Sequence, residues 1–171
     1  MNAYSIEVNN GKIIGDSTFF RIANDLLHKE CKRLCDFTDA LDKDPLQKKQ
    51  KIAEYKCSKY RYASVARIYN FLWHGNRVYH KPAIHVDIEN CIKNNKELLE
   101  LCNNAPDSEK IDYKLYYGIS FIADEMSNSY SKGLLNAGDW EKIELEERID
   151  GLKFAKECLD EAWQKRKEVI Q

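Results

Sequence analysis

Two side chains able to act together on a phosphodiester, Arg67 and His74, stand seven residues apart. On an α-helix that is about two turns, so both leave one face roughly 20° apart in azimuth. A guanidinium grips a phosphate through paired N–H donors, and an imidazole exchanges protons near neutral pH. Their surroundings are strongly cationic. From Gln47 to Lys81 nine Lys or Arg face the single acid Glu54, a local balance of +8 that leaves −9 for the rest of a chain whose net charge is −1. Such asymmetry creates a positive field, unless acidic neighbours in the fold neutralise it.

The element that must carry these residues is a helix from Pro45 to about His74. Asp44 supplies an N-cap, Pro45 suits the first helical position, and Gly75 can take the left-handed conformation that ends the last turn. At 100° per residue Cys57, Val65, Ile68 and Leu72 share one arc, while Lys48, Lys49, Lys56, Lys59, Arg67, Asn70 and His74 gather opposite. Tyr55, Tyr62 and Tyr69 recur every seven residues between the two arcs, with Trp73 beyond them, and the following loop adds Arg77, Tyr79 and Lys81. Cations meet phosphates and rings stack on bases, so this strip predicts contact with RNA or single-stranded DNA. The competing expectation makes the tyrosines packing residues and the lysines a solvated face. Arg61 and Glu54 fall on the core arc, which predicts a carboxylate partner for Arg61 inside the bundle, with Glu54 able to reach it through a bridging group.

The Arg67-x6-His74 spacing resembles the Arg-x4-6-His signature of HEPN-type proteins. These are helical bundles that often act as metal-independent ribonucleases when two protomers bring their motifs together. The resemblance covers this one helix, and Ile68 stands where the family has a polar residue after the arginine. It implies Arg67 as phosphate clamp and His74 as acid–base group. Cleavage also needs an in-line nucleophile and a second proton-transfer group, and the sequence shows neither, so no catalysis is expected of the chain alone.

Other constellations are weaker. His74, His80 and His85 match no zinc spacing, and Cys31 and Cys35 sit on an apolar stripe, so no metal site and no cofactor are expected. All six cysteines lie in helical patterns and read as reduced packing residues. The carboxylate pairs Asp124-Glu125 and Glu146-Glu147 lack the Glu-x-x-His partner of di-iron bundles and read as solvent-facing. There is no Gly-rich phosphate loop and no Gly-x-Ser-x-Gly elbow.

A chain of 171 residues with 43% apolar and 32% charged residues, 7 Gly and 3 Pro reads as one helix-rich globular domain. The start, MNAYSIEVNN, is not a signal peptide, and no apolar run is long enough to span a bilayer, which predicts a cytoplasmic protein without membrane contact. Turn chemistry at Asn9 to Lys12 predicts a small hairpin within residues 1–15. Residues 16–171 then read as five helices: from Ser17 to the Asp44-Pro45 boundary, from Pro45, from Pro82 to Cys102 with Asn95 as a polar interruption, from about Glu109 to an end at Asn136-Ala137-Gly138-Asp139 with a weakening near Ser127 to Gly133, and from Trp140 to Ile170. The expected architecture is an all-α antiparallel bundle with that hairpin. Three functions fit. The first is nucleic-acid binding; the second is a phage or mobile-element accessory protein that docks on and inhibits a nucleic-acid-handling complex; the third is the HEPN-like ribonuclease.

Overall fold

Three helices start where Ser17, Asp44 or Asn95 supplies a side-chain cap. The computed structural model describes residues 8–9, 12–13, 17–74 and 92–170, with the backbone alone for residues 8–9, 12–13 and His74. Helix α1 runs Thr18–Lys43 behind Ser17, whose hydroxyl accepts from the Phe20 amide at 3.0 Å. Pro45 ends it by forcing the preceding Asp44 into extended backbone, and the Asp44 carboxylate then caps α2, Pro45–Gln50. Helix α3 is Ile52–His74, α4 Lys96–Asn104, α5 Lys110–Gly133 and α6 Asp139–Ile170. Single 3-10 turns, Asp107–Glu109 and Leu134–Asn136, precede and follow α5.

Three expectations need correction. The helix from Pro45 is broken at Lys51, whose φ of -110° and ψ of 27° fall outside the helical well. No α2 residue is buried, and the first buried side chain beyond it is Ser58, so no packing holds the first turns in line with the rest. Asn95, read as an interruption inside one long helix, instead leaves the helical conformation and caps α4, accepting from the Leu98 amide at 3.1 Å. The expected weakening at Ser127 to Gly133 is absent, since α5 runs through Gly133. The hairpin gains no support beyond an antiparallel pairing of Val8 with Ile13 and Asn9 with Lys12; the residues around that pairing lie outside the described ones.

The long helices alternate in direction along the chain. Helix α1 is antiparallel to α3, with Phe20 beside Trp73 and Thr38 beside Ser58, and α5 is antiparallel to α6, with Tyr116 on Asp160 and Lys156 on Asp124. Alternation makes α3 and α6 parallel, and these two pack directly together: Lys56 meets Trp140, Arg61 meets Glu147 and Asp150, and Ser64 meets Gly151. Gly151 permits the approach, because a Cβ there would lie 2.7 Å from the Arg61 carbonyl oxygen and 2.8 Å from the Ser64 Cβ. The all-α bundle is therefore antiparallel between chain neighbours but centred on a parallel pair. One apolar core joins all four long helices, with Leu27, Ile68, Leu72, Ile119, Ile122, Leu152 and Leu159 fully shielded from solvent.

A buried polar knot pins one end of this arrangement. Ser17 Oγ donates to Asp112 Oδ1, which also accepts from the Phe19 amide at 3.3 Å, and Arg166 Nε donates to Asp112 Oδ2 at 2.7 Å. The guanidinium lies 4.7 Å from the Trp163 ring centroid, and Trp163 stacks on Tyr116 at 4.5 Å. Ser17, Asp112 and Arg166 are each no more than 4% exposed, so the charges are isolated from water and stable only together.

Candidate nucleic-acid interface

The fold divides the cationic strip instead of presenting it whole. Arg67 turns inward and donates from Nη1 to the Tyr130 hydroxyl at 2.9 Å. Lys56 lays its ammonium 4.1 Å over the Trp140 ring, and Arg61 pairs with Glu147 and Asp150 across the α3–α6 seam. The Arg61 Nε to Glu147 Oε2 distance is 2.6 Å, but neither atom makes a directed hydrogen bond, so this is a contact of charges. The carboxylate expected for Arg61 is thus present, supplied by α6; Glu54 lies instead 3.8 Å from Lys51. From Asp139 to Asp150, α6 holds six acids against Lys142 and Arg148, so the helix beside α3 offsets part of its charge.

The aromatic border is likewise divided. Tyr62 and Tyr69 are half-buried and line a cleft of about 360 Å³ with His28, Cys31 and Cys35 of α1. Burial pushes both phenols above their ordinary pKa, which keeps them neutral hydrogen-bonding groups. The Tyr69 ring lies 5.9 Å from His28 and 6.0 Å from Trp73, and Trp73 meets Phe20 at 6.1 Å. These rings brace α3 against α1.

What stays open is the corner between α2 and α3. Lys48 Nζ sits 4.5 Å from the Tyr55 ring centroid and 2.7 Å from Asp42 Oδ1, while Lys59 approaches the same ring at 5.9 Å. The Lys48 ammonium holds the Asp42 carboxyl below its usual range and is itself raised by that carboxylate. Lys43, Lys49, Lys51 and Lys59 are exposed along this corner together with Asp44 and Glu54, and Lys49 and Lys59 make no ion pair among the described residues.

The chain matches no protein-family model, no curated protein and no solved structure. Its chemistry has to be read from this geometry.

The remaining candidates fall into two groups. The side chain of His74, with Arg77, Tyr79, His80, Lys81, His85 and Cys91, lies outside the described residues. Among the described ones no group of three or more His, Cys, Asp or Glu is placed to hold a metal ion, and Cys31, Cys35, Cys57, Cys102 and Cys158 are free thiols. Asp124 pairs with Lys156 at 2.6 Å, Glu125 and Glu146 are exposed, and Glu147 meets Arg61. No helix among the described residues is long and apolar enough to cross a membrane. Sequence reasoning missed Trp140, the ring beneath Lys56, and the Ser17–Asp112–Arg166 knot. The partners are far apart along the chain, and no local signal joins them.

Proposed function

We propose that this chain binds single-stranded nucleic acid through the corner where α2 meets α3. The observation that carries this reading is the Tyr55 ring with the Lys48 and Lys59 ammonium groups over it, on a stretch that also exposes Lys49 and Lys51. Ammonium groups spread along α2 and the first turns of α3 suit a run of phosphates, and a half-exposed ring among them offers a stacking face. The contact set is narrower than the sequence suggests, because Arg67 and Lys56 already have partners in the fold. Replacing Lys49, Lys51 and Lys59 together by Ala should raise the dissociation constant for a labelled single-stranded RNA at least tenfold in fluorescence anisotropy. Three phosphate contacts at about −0.7 each imply a log–log salt slope near −2. Equal affinity of variant and parent, or no binding by the parent at low salt, would refute the reading.

A second reading is favoured by a separate observation. Leu46 and Ile52 are 68% and 43% exposed between those same lysines, and apolar side chains have no partner on a phosphate backbone but suit a protein interface. An accessory protein docking on an acidic surface of a nucleic-acid-handling complex would use both. Leu46→Ser separates the two, since it weakens a protein contact and leaves the salt-dependent binding of RNA unchanged.

A further inference from the structure

One end of the bundle is split into two oppositely charged halves. In the first half, the end of α1, α2 and the start of α3 carry Lys43, Lys48, Lys49, Lys51, Lys56 and Lys59 against Asp42, Asp44 and Glu54, a balance of +3, around the exposed Leu46 and Ile52. In the second, the start of α6 exposes Asp139, Glu141 and Glu146 around Trp140 and Ile143, with Lys142 as the one base among them. The halves are adjacent because α3 and α6 run parallel from this end, and Lys56 over Trp140 joins them. Lys43, Lys49, Asp139, Glu141 and Glu146 make no ion pair among the described residues. Trp140 is 69% exposed, and Leu135, in the turn just before α6, is 84% exposed. Lone exposed leucines are ordinary on a protein surface, but Leu46, Ile52, Leu135, Trp140 and Ile143 clustered at one end mark a surface built to be covered.

We infer that a second copy of this chain covers it, related by a twofold axis, with the basic half of each protomer against the acidic half of the other. A twofold operation brings each surface element against its counterpart twice, so a patch that is basic on one side and acidic on the other is complementary to itself. The exposed apolar side chains then meet along the line between the halves and lose their water. A nucleic acid or an anionic membrane matches the basic half alone and is repelled by Asp139, Glu141 and Glu146, so neither covers the whole end. The inference does not depend on the nucleic-acid reading, yet it makes a link to it. The dimer hides Lys49 and Lys51, so single-stranded nucleic acid and the second copy compete for one set of lysines.

Sedimentation velocity on the full chain without nucleic acid provides the test. The parent should pass from monomer to dimer with rising concentration, and the transition should move to higher concentration with salt. Lys49→Glu with Lys51→Glu turns the basic half net acidic, and Glu141→Lys with Glu146→Lys turns the acidic half net basic. Each double variant should raise the self-dissociation constant at least tenfold while keeping the helical circular dichroism of the parent. An equal mixture of the two should associate again, because both symmetry-related contacts then pair opposite charges. A parent that stays monomeric at all concentrations, variants that associate as the parent does, or a mixture that remains monomeric would each overturn the inference. RNA affinity measured at dilutions where the chain is monomeric decides the binding reading separately.

Discussion

Arg67 is bonded to Tyr130 at the position where a phosphate clamp has to be available, and this decides what can be expected of the Arg67–His74 pair. A neutral phenol can be displaced by a phosphate, but clamping would then cost the α3–α5 bond and leave Tyr130 without its donor. We expect no metal-independent cleavage of single-stranded RNA. Cleavage that His74→Ala abolishes, with binding and melting unchanged, would replace the binding reading by the HEPN-like one. The thiols have a clearer direction. Burial pushes Cys31 from 9.0 up to about 12, and burial pushes Cys158 from 9.0 up to about 11. Both stay protonated at neutral pH, so alkylation of the folded chain at pH 8 should be slow, and fast labelling seen by mass spectrometry would contradict it. The sign for stability follows from linkage. Below pH 9 the thiols are neutral folded or unfolded; above it the unfolded chain ionises them first, so their stabilising contribution is lost as pH rises towards 12. Tyr116, also raised by burial and by its bond to Asp160, acts in the same direction above pH 10. The melting temperature should fall between pH 9 and 11, and Cys31→Ala should reduce that fall.

Among the elements, α3 and α6 depend on a single position. Gly151→Ala would gain up to about 1 kcal/mol of helix propensity, but overpacking a tight interface costs about 1–3 kcal/mol. The added Cβ meets backbone at 2.7 Å from the Arg61 carbonyl and not a flexible side chain, so relaxation requires moving one helix off the other. We expect a net loss of about 1–2 kcal/mol in denaturant unfolding. An unchanged or raised midpoint would show that the parallel packing is looser than described. The same seam joins the two halves of the charged end, so this variant should also weaken self-association.

At the level of the whole molecule, the buried knot ties α1, α5 and α6 into one cooperative unit. Arg166→Leu leaves the Asp112 carboxylate buried with only Ser17 and the Phe19 amide, and removing one member of such a pair costs about 3–5 kcal/mol. Ser17→Ala removes the cap of α1 and one partner of Asp112, for a loss of about 1–2 kcal/mol. Because both residues bond to Asp112, the double variant should lose less than the sum of the single losses. Additive losses in chemical denaturation would mean that the two contacts act independently.

Amphipathic periods and caps were enough to place most helices, because these signals are local. Ser17 and the Asp44-Pro45 step bound α1, the break near residues 103–108 separates α4 from α5, and the apolar periods mark Phe19, Leu27, Val65, Ile68, Leu115, Ile119 and Leu152, all of them buried. Asn95 was ambiguous for a local reason too: an Asn on a polar face and an Asn at a cap look the same until the backbone shows which it is. A helical period also identifies the core-facing arc without identifying the neighbour. That Lys56 lies over Trp140, that Arg67 bonds to Tyr130 and that Arg61 meets Glu147 depend on α5 and α6 both packing beside α3, and residues so distant in the chain carry no shared pattern. The positive charge of the Gln47 to Lys81 stretch was plain from the sequence. Which of those charges remain for a partner was decided only by tertiary packing, because an acidic helix laid against a basic one cancels part of its field and turns some of its cations inward.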